Sequence, residues 1–236
     1  MDSLVFLDTE TTGIDLLIDR LFQVAYKYKG KVYSDFFKPP VPISIKAQSI
    51  THITNEMVDK KDDFSYSQMK KDLSLILKDN ILVAHNAVFD IDMLAKEGVD
   101  VPKFICTLKV ARFIDEEGII PEYNLQYLRY YLNLNVSASS HNAEDDIKVL
   151  EAVFDNFYKK MLLKYKTHEK VIEKMVEVSS LPSLFKVFPF GKHRGRRIEE
   201  IVISDRSYVE WILEQKIQNE YYDEDWIHTL KHHLNV

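Results

Sequence analysis

The sequence predicts an α/β fold in which helices cover the faces of a mixed sheet. Short apolar runs, typical of buried strands, alternate with longer amphipathic patterns, typical of helices. Segments 22–28 and 32–37 flank the turn sequence Lys29-Gly30-Lys31 and predict an antiparallel hairpin. A hairpin followed by strand–helix alternation indicates that antiparallel and parallel pairs share one sheet.

In chain order, the first strand is the apolar run Leu4–Leu7, and the hairpin follows it. Pro39, Pro40 and Pro42 are expected to close the sheet edge, because proline cannot donate to a β ladder. A second buried strand is predicted over 80–84. Helical patterns cover 65–77, 88–97, 107–114, 124–132 and 143–160, and the last of them continues to about residue 177.

The segment Ser179–Ser183, with its proline, predicts a break between two domains. We expect a first domain over 1–178, with a core at 3–158 and a helical extension. A small α+β domain over 184–236 follows, with short helical patterns at 207–215 and 223–234, and it is a candidate nucleic-acid-binding module.

Composition excludes several classes of protein. With 46% hydrophobic and 12% aromatic residues, the chain has enough apolar material for a packed core and is not a disordered or fibrous protein. A single cysteine, Cys106, excludes a disulfide scaffold and a multi-cysteine zinc site. The net charge of −6 excludes a polycation that coats nucleic acid. No run reaches the roughly 20 apolar residues of a membrane span, so we expect a soluble, cytoplasmic protein.

Acidic residues follow the predicted strands. Asp8 and Glu10 lie two residues apart, so their carboxylates leave one face of a strand and repel each other unless a cation lies between them. Hard oxygen ligands favour Mg²⁺ or Mn²⁺. Asp90 follows the second buried strand, at the edge where open α/β sheets bind ligands. The alternatives are a solvated strand end for the first pair and a helix N-terminal acid for Asp90.

Helix geometry separates the acids of the segment 141–146. At about 100° per residue, Asp146 lies at the border of the buried face and Asp145 on the solvent side. His141 just precedes this helix and is either a base or a capping or surface residue. Four acids and a histidine at one sheet edge would form a centre that binds two divalent ions and cleaves phosphodiesters.

Three motifs resemble those of the DnaQ-like, or DEDDh, 3′–5′ exonucleases: Asp8-Thr-Glu10-Thr-Thr-Gly13, His85-Asn-Ala-x-Phe-Asp90 and His141-x-Ala-x-x-Asp146. Segment 47–54 resembles the loop after the third strand of that family, and 106–112 resembles its helix after the second motif. The resemblance covers roughly residues 3–158.

This resemblance implies an RNase H-like fold with a mixed five-stranded sheet and two Mg²⁺ or Mn²⁺ ions. By position, the metal ligands would be Asp8, Glu10, Asp90 and Asp146, with His141 as general base. The residues that receive or support the terminal nucleotide would be Thr11, Thr12 and Asn86. His52 lies outside the usual register of the family and is given no role.

The segment from Phe188 to Gly195 resembles the small C-terminal tail of exodeoxyribonuclease X-like proteins. Its basic residues are expected to contact nucleic-acid phosphates; they are Lys192, Arg194, Arg196 and Arg197. We expect the aromatic residues Tyr208 and Trp211 to join Ile212 in a core, with stacking on bases as the alternative.

We therefore expect a 3′–5′ exonuclease that acts on nucleic-acid 3′ ends, with DNA favoured, and releases nucleoside monophosphates. The alternatives are an exoribonuclease of the same fold, a polymerase proofreading subunit, a small-molecule phosphodiesterase and a nucleic-acid-binding protein on a decayed nuclease fold. The sequence identifies no protein partner.

Overall fold

The computed structural model describes residues 3–137, 143–218 and 223–236. Five strands form one sheet: β1 (Leu4–Thr11), β2 (Leu21–Tyr28), β3 (Lys31–Phe36), β4 (Ile81–Ala84) and β5 (Phe104–Cys106). The strand order is β3-β2-β1-β4-β5. The pairs β1–β2 and β2–β3 are antiparallel, whereas β1–β4 and β4–β5 are parallel. The predicted mixed sheet is confirmed.

Eight helices belong to the described part of the chain before residue 181: α1 (Ile45–Thr51), α2 (Asn55–Val58), α3 (Gln68–Asp79), α4 (Ala87–Lys96), α5 (Thr107–Ile114), α6 (Leu125–Tyr131), α7 (Ala143–Tyr165) and α8 (His168–Ser180). Three more follow: α9 (Ile198–Ser204), α10 (Arg206–Gln218) and α11 (Glu224–Leu234). None of the described helices is long and apolar enough to cross a membrane.

The two faces of β1 pack against different helices. Leu4 and Phe6 belong to the core that β1 shares with α7, where the rings of Phe6 and Phe154 meet edge to face at 5.4 Å. Val5 and Leu7 pack into the opposite core, which α3 and α4 cover. Because side chains alternate along a strand, this parity extends to the polar end of β1. Even-numbered residues there lie toward α7, and odd-numbered ones toward α4.

The long helical pattern predicted from residue 143 to about 177 is wrong in one respect, because two helices share it. Lys166 has a left-handed backbone, with φ of 73°, and ends α7. The Thr167 hydroxyl then accepts the backbone N–H of Lys170 and caps α8. A left-handed residue followed by an N-cap breaks the backbone ladder even where the apolar spacing continues.

The segment 47–54, expected as a loop, is largely helical. The Ser44 hydroxyl accepts the N–H of Ala47 and starts α1, which ends at left-handed His52. Strand β5 was not predicted from the sequence. It has only three residues, which are too few to show a periodicity.

The segment after residue 184 has a core cluster of its own, which includes Phe188, Ile201, Ile212 and Leu230. Its β structure within the described residues is one bridge between Val187 and Arg197. The division into domains at residues 178–184 stays a prediction.

One acid of α11 joins the C-terminal segment to the rest of the chain. The carboxylate of Asp225 accepts from Arg112 of α5 at 2.8 Å and from the backbone N–H of Ser183 at 2.8 Å. The same guanidinium lies 4.5 Å from the centre of the Phe185 ring.

Candidate active site

Strand β1 brings Asp8 and Glu10 to the face that α7 covers, two and four positions beyond Phe6 and in register with Ala25 and Gln23 of β2. Carboxylate oxygens of Asp8, Glu10 and Asp146 all lie within 4.8 Å of one another. The acids that the i, i+2 spacing selects on β1 therefore lie next to Asp146, the acid that the helix geometry selects on α7.

Asp90 approaches this point from the other face of β1. It lies in the first turn of α4, is 5% exposed, and accepts a 2.7 Å hydrogen bond from the hydroxyl of Thr9. Thr9 is an odd-numbered residue of β1, so its side chain leaves toward α4. The strand thus carries its two metal-ligand candidates on one face and a support for Asp90 on the other.

The two neighbouring acids of α7 differ in the direction that the helix geometry predicts, although Asp145 is half-buried and not on the open solvent side. Asp146 is 8% exposed and lies in the acidic cluster. The carboxylate of Asp145 pairs instead with Lys148, one turn along the helix, at 2.6 Å.

Gln126 of α6, which no motif of the sequence indicates, contacts the cluster. Its Nε2 donates to Oδ1 of Asp146 at 2.7 Å, and its Oε1 accepts from Arg129 at 3.1 Å. Because a guanidinium can only donate, it fixes the amide with the NH₂ group toward the carboxylate. Gln126 was hidden because it lies twenty residues from Asp146 and belongs to none of the three motifs.

The acids raise one another's proton affinity. Burial raises the pKa of Asp8 well above its usual value, and the charges of Asp90, Glu10 and Asp146 add to this effect. Burial, with Asp146 and Asp90, raises the pKa of Glu10 to about 7. Burial also raises the pKa of Asp90 to about 7, against the hydrogen bond from Thr9. Crowded, desolvated carboxylates of this kind fit a divalent cation, whose charge offsets their repulsion and whose preferred ligands are oxygens.

His85 belongs to the second motif but is a structural residue. Its Nε2 lies 2.7 Å from the carbonyl of Tyr123, which can only accept, so Nε2 carries the proton; Nδ1 lies 2.9 Å from the Thr107 hydroxyl. Burial lowers its pKa to about 4, so the ring is neutral at pH 7. His141, the predicted base, lies outside the described residues.

The predicted nucleotide-contact residues occupy different environments. Thr12 is fully buried, and its hydroxyl donates to Asp19 at 2.7 Å and accepts the N–H of Arg20 at 3.1 Å, so this side chain holds the loop rather than facing a ligand. A side chain in place of Gly13 would collide with the same carboxylate of Asp19. Thr11 is half-buried, and its hydroxyl donates to the carbonyl of Gly13.

Asn86 is exposed and left-handed, with φ of 62°, and turns the chain from β4 into α4. Asparagine tolerates this conformation better than most residues. It therefore places Asp90 through the backbone turn.

The basic loop of residues 192–197 is only partly free. Lys192 pairs with Asp205 at 2.6 Å, and Arg197 pairs with Glu199 at 2.7 Å. Arg194 and Arg196 are exposed and form no ion pair with any residue that the structure describes. These two are the stronger candidates for phosphate contacts.

The expected core placement of Trp211 is wrong, because its side chain is 52% exposed. Helix α10 packs through Val209, Ile212 and Leu213. Trp211 lies about 100° from Ile212 around the helix and so points away from that face. Tyr208 does contact the core, with its ring centre 5.9 Å from that of Phe188.

A mixed α/β sheet with clustered carboxylates at its edge defines a class of phosphodiester-cleaving nucleases. The chain belongs to the Exonuclease family, whose model matches residues 5–154. Residues 188–217 match the Exodeoxyribonuclease X-like C-terminal family. Together these matches establish a 3′–5′ exonuclease with an RNase H-like fold.

Two curated relatives match over most of their own length. Exodeoxyribonuclease 10 of Escherichia coli (strain K12) is 29% identical over 213 residues, which cover 88% of this chain and 89% of that protein. The DNA polymerase III subunit epsilon of Treponema pallidum (strain Nichols) is 33% identical over 158 residues, which cover 62% of this chain and 72% of the relative.

Solved structures share the fold. Exonuclease X in complex with 5′ overhanging duplex DNA superposes with a TM-score of 0.57 and 25% identity, over 75% of this chain and 99% of that chain. E. coli Exonuclease I in complex with a dA16 oligonucleotide has a TM-score of 0.55 and 17% identity, over 74% of this chain and 46% of its own. The second likeness concerns the fold alone.

Proposed function

We propose that this chain is a metal-dependent 3′–5′ exodeoxyribonuclease that hydrolyses the terminal phosphodiester bond of DNA and releases nucleoside 5′-monophosphates. The observation that carries the proposal is the convergence of Asp8, Glu10 and Asp146 within 4.8 Å, with Asp90 held beside them by Thr9. A cluster of acids packed this closely has little structural value, because desolvation and mutual repulsion disfavour the charges within it.

In this proposal Asp8, Glu10, Asp90 and Asp146 hold two divalent ions, Mg²⁺ or Mn²⁺. When bound, such ions stabilise charge on the phosphate and on the leaving oxygen and lower the pKa of a water molecule. Gln126 keeps the Asp146 carboxylate oriented, and Thr9 does the same for Asp90. His141, two residues before α7 begins, takes the proton of the attacking water. Thr11, which follows Glu10 in the chain, and the turn at Asn86, four residues before Asp90, are our candidates for contacts with the terminal nucleotide.

Two of the comparisons favour DNA over RNA as the substrate. The relative that matches over almost its whole length is named an exodeoxyribonuclease, and Exonuclease X was solved with duplex DNA. RNA is the alternative, since discrimination depends on contacts with the 2′-OH. A proofreading subunit is a second candidate, because one relative is a polymerase III epsilon subunit. The C-terminal match at 188–217 favours the exodeoxyribonuclease over this candidate.

The test is a gel time course on two matched 5′-labelled single strands, one of DNA and one of RNA, with Mg²⁺ or with EDTA. We expect stepwise shortening of DNA that EDTA abolishes. Asp146→Asn should abolish shortening, whereas Asp145→Asn, which changes the neighbouring acid in the same way, should retain most of it. Shortening of RNA alone would reject the DNA substrate. Equal losses in the two variants would reject the assigned metal ligand.

A further inference from the structure

A cavity of about 360 Å³ lies where the C-terminal segment meets the exonuclease fold. Its walls come from α5, the end of α7, α8 and the linker of residues 181–186. One wall residue, Lys164, lies eighteen positions after Asp146 on α7, which corresponds to about 27 Å along the helix. The cavity is therefore separate from the acidic cluster.

The lining of this junction cavity is strongly basic. Five cationic side chains line it against one acid, Glu116; the cations are Lys109, Arg112, Lys164, Lys174 and Lys186. The whole chain carries a net charge of −6, so this concentration of positive charge is local. Four of these cations have acidic partners: Lys109 and Arg112 share Asp225, Lys164 pairs with Glu116, and Lys174 pairs with Glu177. Lys186 has no ion-pair partner among the described residues.

Two buried polar atoms of the lining have no hydrogen-bond partner in the described part of the chain: Nε of Arg112 and Oγ of Ser183. Ser183 is 8% exposed. A buried donor without an acceptor costs about 1–3 kcal/mol and calls for an explanation. Both residues are bound to the same carboxylate, Asp225, so the two atoms belong to one small region of the wall.

The remaining wall is apolar and comes from Phe113, Val178, Leu184 and the linker residues Leu181 and Pro182. Leu181 is 51% exposed although it lies beside the cavity. A volume near the lower end of the 300–1,000 Å³ typical of small-molecule sites suits one compact ligand rather than a strand. Cationic groups around an apolar wall match a ligand with an anionic head and a flat or apolar body.

We propose that the junction cavity binds a nucleoside monophosphate, with the phosphate among Lys109, Arg112 and Lys186 and the base against Phe113 and Val178. Arginine and lysine are the side chains that bind phosphate most strongly, through charge-assisted hydrogen bonds. A phosphate oxygen is also the acceptor that Nε of Arg112 and Oγ of Ser183 lack. Since Ser183 and Lys186 belong to the linker and Arg112 to α5, the ligand would bridge the C-terminal segment and the exonuclease fold.

Isothermal titration calorimetry of the full chain in EDTA tests the site. Without metal ions the acidic cluster repels phosphate, so binding in EDTA is independent of the proposed catalytic centre. The probes are thymidine 5′-monophosphate, thymidine, inorganic phosphate and a 5′-phosphorylated twelve-residue thymidine strand. We expect one molecule of the monophosphate to bind per chain, at least tenfold more tightly than thymidine or phosphate alone.

The variant Lys109→Gln/Lys186→Gln should weaken this binding by about tenfold to a hundredfold, because it removes two of the proposed charge-assisted contacts. Lys170→Gln changes an exposed lysine of α8 outside the cavity lining and should leave the affinity unchanged. The thermal midpoint of each variant shows that it is folded.

The proposal is overturned if the monophosphate does not bind, or if binding persists in the double variant. If inorganic phosphate binds as tightly as the monophosphate, a mononucleotide ligand is rejected. It is also rejected if the thymidine strand binds more tightly than the monophosphate and the double variant loses that binding too. Each of these failures leaves the Mg²⁺-dependent gel test of the exonuclease intact.

Discussion

Replacing Glu10 by glutamine should stabilise the metal-free protein at alkaline pH. Burial and the charges of Asp146 and Asp90 raise the pKa of Glu10 from 4.5 to about 7. The folded state therefore disfavours the charged form of this carboxyl. Above pH 7 the charged group destabilises the fold, and the penalty disappears as the pH falls towards 4.5, where the unfolded chain also binds the proton.

The size of the effect follows from the shift. A difference of about 2.5 pKa units corresponds to about 3 kcal/mol at pH 8. At pH 5 the same shift leaves less than about 1 kcal/mol. For a protein of this size, 1 kcal/mol moves the thermal midpoint by about 2–4 °C. The neighbouring acids titrate together with Glu10, so Glu10→Gln removes only part of this free-energy penalty. We therefore expect the variant to raise the thermal midpoint by about 3–8 °C in EDTA at pH 8.

Differential scanning calorimetry at pH 8 and at pH 5, in EDTA and in Mg²⁺, measures this prediction. The matched control is Glu144→Gln, the same chemical change at an exposed position near the start of α7. In Mg²⁺ the order should reverse, because a ligand that binds only the folded state stabilises the wild type more. An unchanged midpoint in EDTA at pH 8, or a gain of the same size at pH 5, would refute the electrostatic argument.

Three further predictions concern other parts of the site. Gln126→Ala should weaken Mg²⁺ affinity about tenfold to a hundredfold, because Asp146 loses the hydrogen bond that orients it. Calorimetric titration with Mg²⁺ measures this affinity separately from activity, and an unchanged affinity would show that Gln126 does not support the site. His141→Ala should slow single-turnover cleavage by about 10²–10⁴-fold while DNA binding in Ca²⁺ stays near wild type, and a loss of binding alone would contradict its role as base. Arg194→Ala with Arg196→Ala should weaken DNA binding and lower its salt dependence by about two phosphate contacts, whereas an unchanged salt slope would assign the loop a structural role.

The sequence predicted the positions of the acids well because local geometry governs them. The i, i+2 spacing on β1 and the 100° rotation of α7 are fixed by backbone structure. They place Asp8 with Glu10 and select Asp146 over Asp145 without knowledge of the fold. The structure confirms the cluster of Asp8, Glu10 and Asp146, whereas Asp145 is half-buried and pairs with Lys148. Boundaries that depend on single backbone conformations, such as the break at Lys166, left no trace in the apolar pattern.

Contacts between distant segments could not be predicted in this way. Gln126 meets Asp146 only because α6 and α7 pack together. Trp211 is exposed because α10 uses Val209 and Ile212 for its contacts, although Trp211 has helical spacing that also suits a core. In both cases the packing of neighbouring elements, and not the local sequence pattern, decided the contact.

The sequence by itself determined the mixed sheet, the set of acids and the resemblance to exonucleases, because periodicity and motif spacing are properties of the local chain. Tertiary structure alone decided which groups share an environment: the elevation of the pKa values of Asp8 and Glu10 by burial and by Asp90 and Asp146, the burial of the Thr12 hydroxyl against Asp19, and the basic cavity between α5 and the linker. The physical reason is that desolvation and charge–charge interaction depend on distances between atoms far apart in the chain.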